Sequence, residues 1–205
     1  TTMLVGVDVN HPGQTENVLS SIAAAVGSTD KIFSQYTASI RVQQKERDEI
    51  IEVLGDMLVE LLTEYRNINK RFPSEMVIFR DGVSEGQFEM VKSKEIKQIQ
   101  DAAKKVGAPN IKIVLIVVQK RHHTRFVSVQ PQGPKGSHNV PSGTVVDTSI
   151  VEPNYDAFII NSHFSICFLN YLALLFPAHP RPFTTLNLQI GLNLGLGNNI
   201  SLLSL

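Results

Sequence analysis

Residues 3–9 (MLVGVDV) are apolar on both faces of an extended chain apart from Asp8, which predicts a central buried strand. Asn10-His11-Pro12-Gly13 reads as a turn. A second apolar run, SIAAAVGS, covers residues 21–28. From 33 to 42 the pattern alternates: Tyr36, Ala38, Ile40 and Val42 fall on one face, and Thr37, Ser39 and Arg41 on the other. That predicts a half-buried strand. The stretches joining these three runs are too short for helices, so an antiparallel meander is expected.

The period then changes. Ile50, Leu54, Met57, Leu58, Leu61 and Tyr65 recur every three or four positions, predicting an amphipathic helix from 47 to about 67. Pro73 closes the connection, and residues 76–80 read as a buried strand ending at Asp81-Gly82. A second helix is predicted over 85–106, with Phe88, Val91, Ile96, Ile99 and Ala103 inward and Gly107 and Pro109 stopping it. Residues 111–118 (IKIVLIVV) form a further apolar strand, and 155–160 another candidate. The order β-β-β-α-β-α-β implies an α/β fold: a mixed sheet of three antiparallel strands followed by helix-covered parallel ones.

Composition alters this picture at one point. Lys and Arg number 19, as do Asp and Glu, so the 205 residues carry no formal net charge. That argues against a generally basic nucleic-acid binder and leaves room for a local basic patch. A lone Cys167 excludes a disulfide framework and a cysteine zinc site. No charged segment or cleavage site marks a signal peptide, and the chain reads as a piece cut from something longer. Of the 38 charged residues, however, residues 164–205 hold only Arg181, alongside 12 Leu. The expectation is therefore a core over 1–163 and a divergent Leu-rich tail over 164–205 outside it. The apolar run 164–178 is shorter than the ~20 residues of a spanning helix, and prolines end it. A segment never selected to fold here, from splicing or a shifted frame, is the preferred reading of the tail, and no membrane partner is expected.

Candidate chemistry lies at the strand ends. Asp8 closes the first strand and Asp81 the fourth. If those strands pair in parallel, both carboxylates emerge at one sheet edge. Glu49 stands at the start of the first predicted helix. Converging carboxylates suit a hard divalent cation, Mg²⁺ or Mn²⁺, with Asp8 and Asp81 as ligands. Each Asp also precedes turn residues, where it would cap a turn, and Glu49 could instead complement a helix dipole. Downstream, Gln119-Lys120-Arg121-His122-His123-Thr124-Arg125 leaves a strand directly. Three fixed cations and two imidazoles suit a phosphate backbone, though such a run also makes a solvated loop.

Several strings, in order, resemble the Piwi domain of Argonaute proteins. They are Gly6-Val7-Asp8-Val9-Asn10-His11-Pro12, Ser21-Ile22-Ala23-Ala24, Ile40-Arg41-Val42-Gln43 and Glu49-Ile50-Ile51. The most specific are Phe79-Arg80-Asp81-Gly82-Val83-Ser84-Glu85-Gly86-Gln87-Phe88 and Val117-Val118-Gln119-Lys120-Arg121-His122-His123-Thr124-Arg125. Val140-Pro141, Gly143-Thr144-Val145-Val146-Asp147, Asp156, Ser162 and His163 follow. The resemblance covers about 3–163 and implies an RNase H-like fold.

It also implies a guide-directed, Mg²⁺-dependent RNA endonuclease ancestry, with Asp8, Glu49 and Asp81 as three of four catalytic positions. The fourth belongs to a segment like Arg-Pro-x-x-Tyr-x-Val, which this sequence lacks. His163 is part of the preceding motif; the resemblance assigns it, with Lys120, Arg121, His122, His123 and Arg125, to RNA contact. Implied partners are a small guide RNA, a complementary target RNA and Gly-Trp-repeat silencing proteins, in the cytoplasm or also the nucleus. Three functions stay open: a slicing enzyme, a guide- and target-binding module that does not cut, and a truncated product with neither activity.

Overall fold

The computed structural model describes residues 1–12, 20–43, 49–119, 124–132, 137–141, 143–151, 157–162 and 184–189. The first three strands are β1 (Thr2–Asn10), β2 (Ile22–Ser28) and β3 (Tyr36–Val42), and they form the expected antiparallel meander. Helix α1 (Leu54–Asn69) leads to β4 (Glu75–Asp81), which lies parallel to β1. A 3₁₀ turn (Glu85–Gln87) then opens a composite helix: α2 (Phe88–Met90), a π-helical turn (Val91–Glu95) and α3 (Ile96–Lys105). Strand β5 (Lys112–Gln119) pairs parallel to β4. Strands β6 (Val127–Gln132) and β7 (Ser137–Asn139) make a separate ribbon. The short β8 (Val145–Val146), β9 (Ala157–Ser162) and β10 (Thr184–Gln189) complete a sheet of order β3-β2-β1-β4-β5-β10-β9-β8.

Alternation along the strands sorts residues onto two faces. Met3, Val5 and Val7 on β1, Met76 and Ile78 on β4, and Ile113, Leu115 and Val117 on β5 face one core. Leu54, Met57, Leu58, Leu61 and Tyr65 of α1, with Ile99, Ala102 and Ala103 of α3, cover it. Val114, Ile116 and Val118 point the other way, toward Phe158 of β9. Both faces of β5 are thus apolar, which is why its sequence reads as an uninterrupted run.

Three elements depart from the sequence pattern. Helix α1 begins at Leu54, not 47, because Glu49 and Ile51 give backbone bonds to side chains outside the helix. Strand β3 is half-buried, but the polar face points inward: Ser39 is buried while Ile40 and Val42 are exposed. Ser39 and Arg41 both donate to Glu60 on α1, which satisfies the inward polar groups. In the tail, where the sequence predicts no element, Thr184–Gln189 pairs antiparallel with both β5 and β9. The apolar run 164–178 lies outside the described residues. Among the described residues, no helix is long and apolar enough to cross a membrane.

Helix α3 stops as its sequence predicts. Gly107 has φ +83°, its N–H donates to Lys104 O, and the N–H of Ala108 reaches Ala103 O. That is the pair of bonds that closes a helix through a left-handed glycine.

Candidate active site

In the β1–β4 ladder Val7 pairs with Arg80. Asp8 and Asp81 come one position later on each strand, at the same end of neighbouring parallel strands. Side chains alternate, so both acids leave the face that carries Leu4, Val77 and Phe79, opposite α1 and α3. Neighbouring strands run about 4.8 Å apart, which sets the spacing of the two acidic positions. Asp8 Oδ1 accepts from the N–H of Val9 at 2.9 Å, and Asp81 Oδ1 from the N–H of Gly82 at 2.9 Å. Asp81 is buried.

Glu49 approaches from the segment ahead of α1, so the helix-dipole role considered for it does not apply. His11 orients its carboxylate: Nε2 lies 2.8 Å from Glu49 Oε1, and Nδ1 lies 2.7 Å from Ser21 Oγ. The other oxygen, Glu49 Oε2, is buried and has no hydrogen-bond partner among the described residues. Gly82 shows where that oxygen points. A Cβ on Gly82 would lie 3.3 Å from Glu49 Oε2 and 3.8 Å from Asp8 Oδ1, so the two carboxylates converge on the space beside its Cα. With φ at +87°, Gly82 also occupies backbone space that other residues enter at a cost.

Arg80 holds the frame behind the acids. Its side chain points to the core side, fully buried, and pairs with the equally buried Glu95 of the π-turn at 3.1 Å. The guanidinium also donates to the carbonyls of Asp81 and Glu49. One cation therefore fixes the backbone at two of the three acidic positions.

Among the described residues, no three His, Cys, Asp or Glu side chains close into a finished metal cluster. The donor set nevertheless fits a hard divalent ion. It consists of carboxylate oxygens, one of them buried and lacking a partner among the described residues, beside a glycine that keeps the space clear. The fit belongs to the donors; the ion would have to complete their convergence.

The basic segment starts at the same sheet edge, since Asp81 pairs with Val118 and Gln119 Nε2 donates to Val83 O at 3.2 Å. Arg125 is exposed, and its Nη1 donates to Thr124 O. Lys120, Arg121, His122, His123 and His163 lie outside the described residues. In the sequence His11 falls in a turn cluster, and the hydrophobic pattern marks none of Arg80, Glu95 and Gln98 as site residues. A signal existed for one pair: an Arg within a strand read as buried needs an acid, and Glu95 lies on the helix stripe with Val91 and Ile99.

The Piwi domain family model matches residues 1–167, ending close to where the composition changes. Protein argonaute 3 of Oryza sativa subsp. japonica is 43% identical over 164 residues, covering 78% of this chain and 14% of that protein. The C-terminal lobe of a budding yeast Argonaute superposes with a TM-score of 0.76 at 26% identity, covering 97% of this chain and 39% of that one. Kluyveromyces polysporus Argonaute, solved with a guide RNA, gives a TM-score of 0.76 at 27% identity, covering 96% of this chain and 22% of that one. The chain thus spans a small part of the length of the relatives it matches.

Proposed function

The chain belongs to the Piwi-domain family, and from that premise we propose that it is the catalytic-sheet portion of a small-RNA-guided silencing protein. The observation that carries this reading is the convergence of Glu49 and Asp8 on Gly82, beside Asp81 at the end of the neighbouring strand. Asp8 and Asp81 would hold Mg²⁺ or Mn²⁺, with Glu49 offering its buried oxygen. When bound, such an ion supplies charge stabilisation to a phosphodiester under hydrolysis. The chain's own part is to fix the donors: His11 holds one Glu49 oxygen, and Arg80 holds the backbone behind Glu49 and Asp81. Arg125 and the basic segment before it would meet RNA phosphates. Guide and target RNA are the proposed partners, and the solved relative that carries a guide RNA supports that choice.

These 205 residues hold no Arg-Pro-x-x-Tyr-x-Val segment, so for this stretch of chain by itself RNA binding and cutting come apart. Three acids hold one ion well. A second ion would lack a fixed ligand, and a misplacement of about 1 Å costs on the order of 100-fold in rate. We therefore place this chain as a Piwi sheet that binds RNA and a divalent ion and cleaves weakly. The test uses a guide–target RNA duplex with Mg²⁺ or Mn²⁺ and compares the chain with Asp81→Ala. The expected result is Mn²⁺ binding that the substitution abolishes, RNA binding that it spares, and little cleavage by either. Guide-directed cleavage that disappears in Asp81→Ala would move the conclusion to a competent slicer. Mn²⁺ binding indifferent to Asp81 would sink the site.

A further inference from the structure

The segment that delivers Glu49 belongs to neither a helix nor a strand. Residues 49–53 lie between β3 and α1, and helix side chains take up both backbone polar groups of Ile51. The N–H of Ile51 donates to Glu95 Oε1 at 3.0 Å, and the carbonyl of Ile51 accepts from Gln98 Nε2 at 2.9 Å. The N–H of Gly55, in the first turn of α1, donates to Gln98 Oε1 at 3.1 Å. One amide side chain is donor and acceptor at once, as a neighbouring strand's peptide would be. Glu95 and Gln98 stand three residues apart on one helix face. The Ile51 side chain is itself fully buried, so the segment is anchored by its side chain as well as its backbone.

None of these bonds touches the Glu49 carboxylate, whose orientation His11 sets. The backbone from which that carboxylate projects is held from α3, on the opposite side of the sheet from the acids. We propose that Gln98, acting with Glu95, is a positioning residue for Glu49: α3 fixes residues 49–55, and Glu49 is aimed from that anchor. The proposal rests on reading Asp8, Glu49 and Asp81 as a cation site.

Gln98 is only partly buried, so it can be replaced without opening the core. The comparison uses the whole chain with Gln98→Leu, which removes both bonds, and Gln98→Glu, which keeps the acceptor for Gly55. Lys105→Ala serves as control; it breaks the exposed Lys105–Asp56 pair between the same two helices and leaves 49–53 untouched. Gln98→Leu should speed amide exchange at Gly55 about tenfold, the scale of one lost hydrogen bond. It should weaken Mn²⁺ binding about tenfold, as loss of a supporting residue behind a ligand does. Gln98→Glu should recover Gly55 protection and part of the affinity, and Lys105→Ala should change neither. The His11 ring ¹⁵N shifts report its bond to Glu49 without any metal, and they should move in Gln98→Leu alone. Unmoved His11 shifts in Gln98→Leu, or equal movement in Lys105→Ala, would overturn the positioning role. If the unaltered chain binds no Mn²⁺, the cation reading fails separately, and the His11 shifts still decide whether Gln98 aims Glu49.

Discussion

Among the described residues Arg80 is the largest fully buried side chain, and it is charged. Taking a guanidinium and a carboxylate out of water costs several kcal/mol, recovered only if every donor and acceptor finds a partner. Here the partners are Glu95, the carbonyls of Asp81 and Glu49, and the N–H of Ile51. Arg80→Met strands the Glu95 charge and should destabilise the fold by about 3–5 kcal/mol in urea unfolding. The double variant Arg80→Met/Glu95→Leu removes both charges and should recover much of that loss. It should not recover Mn²⁺ affinity, because nothing then ties Glu49 to Asp81; a double variant as unstable as the two single losses combined would refute this account. The strand around Arg80 was legible from its apolar run, but its inward aim was not. Alternation identifies two faces without saying which one a helix will cover, and the acid that decides it sits 15 residues downstream.

At the element scale, the pattern was most reliable where burial and backbone agree. Ile50 fits the period of α1 and is 2% exposed, yet it is not helical. Its neighbour Ile51 finds better backbone partners in Glu95 and Gln98 than a helix turn would supply. Periodicity reports which side chains are buried and is silent on where N–H groups go. Strand β3 shows the same limit, since its inward face is polar for a reason that lies on α1. There the Ser39 hydroxyl is the main cause that holds the Glu60 carboxyl below its ordinary 4.5; burial opposes it, and the Arg41 guanidinium adds to the lowering. A carboxyl lowered in the fold stabilises above its unfolded value and loses that contribution as pH falls through its folded one. Glu60 is half exposed, so the effect is local. Acidification from neutrality to below that ordinary carboxylate value should lower the protection factors of the β3 amides, their rates taken relative to the intrinsic rate at each pH, while those of β1 and β4 hold. Glu60→Gln should show the lower β3 protection already at neutral pH, and β3 protection factors that do not change with pH in the unaltered chain would contradict the assignment.

At the scale of the whole molecule, the strand order sets Gln119, where the basic run begins in sequence, at the acidic end of the sheet. Strands β4 and β5 run parallel, so Asp81 and Gln119 lie at the same end. On the proposed function, RNA phosphates would meet the carboxylates there through an ion. Arg125→Ala should weaken RNA binding by a similar factor for every sequence and lower the slope of log affinity against log salt by about 1. A loss confined to particular sequences would indicate base readout instead. The sheet's first five strands were legible because each is an apolar or alternating run bounded by turns or a helix. Strand β10 was not, since Thr184–Gln189 lies in a tail whose composition gives no period.

The parallel pairing of β1 with β4 has a consequence for how the chain is made. Within this sheet strand β1 is synthesised before the others, and β2, its antiparallel neighbour, and β3 beyond it follow by residue 42, so the meander can close before β4 is made. The other edge of β1 waits for β4, which is complete only at Asp81. Until then a nascent chain presents the unpaired backbone edge of β1 beside an uncovered apolar face of Met3, Val5 and Val7, and parallel partners are slow to arrive. A message truncated between residues 42 and 81 would therefore yield a sticky, aggregation-prone peptide, and the nascent protein would need a chaperone most over that interval.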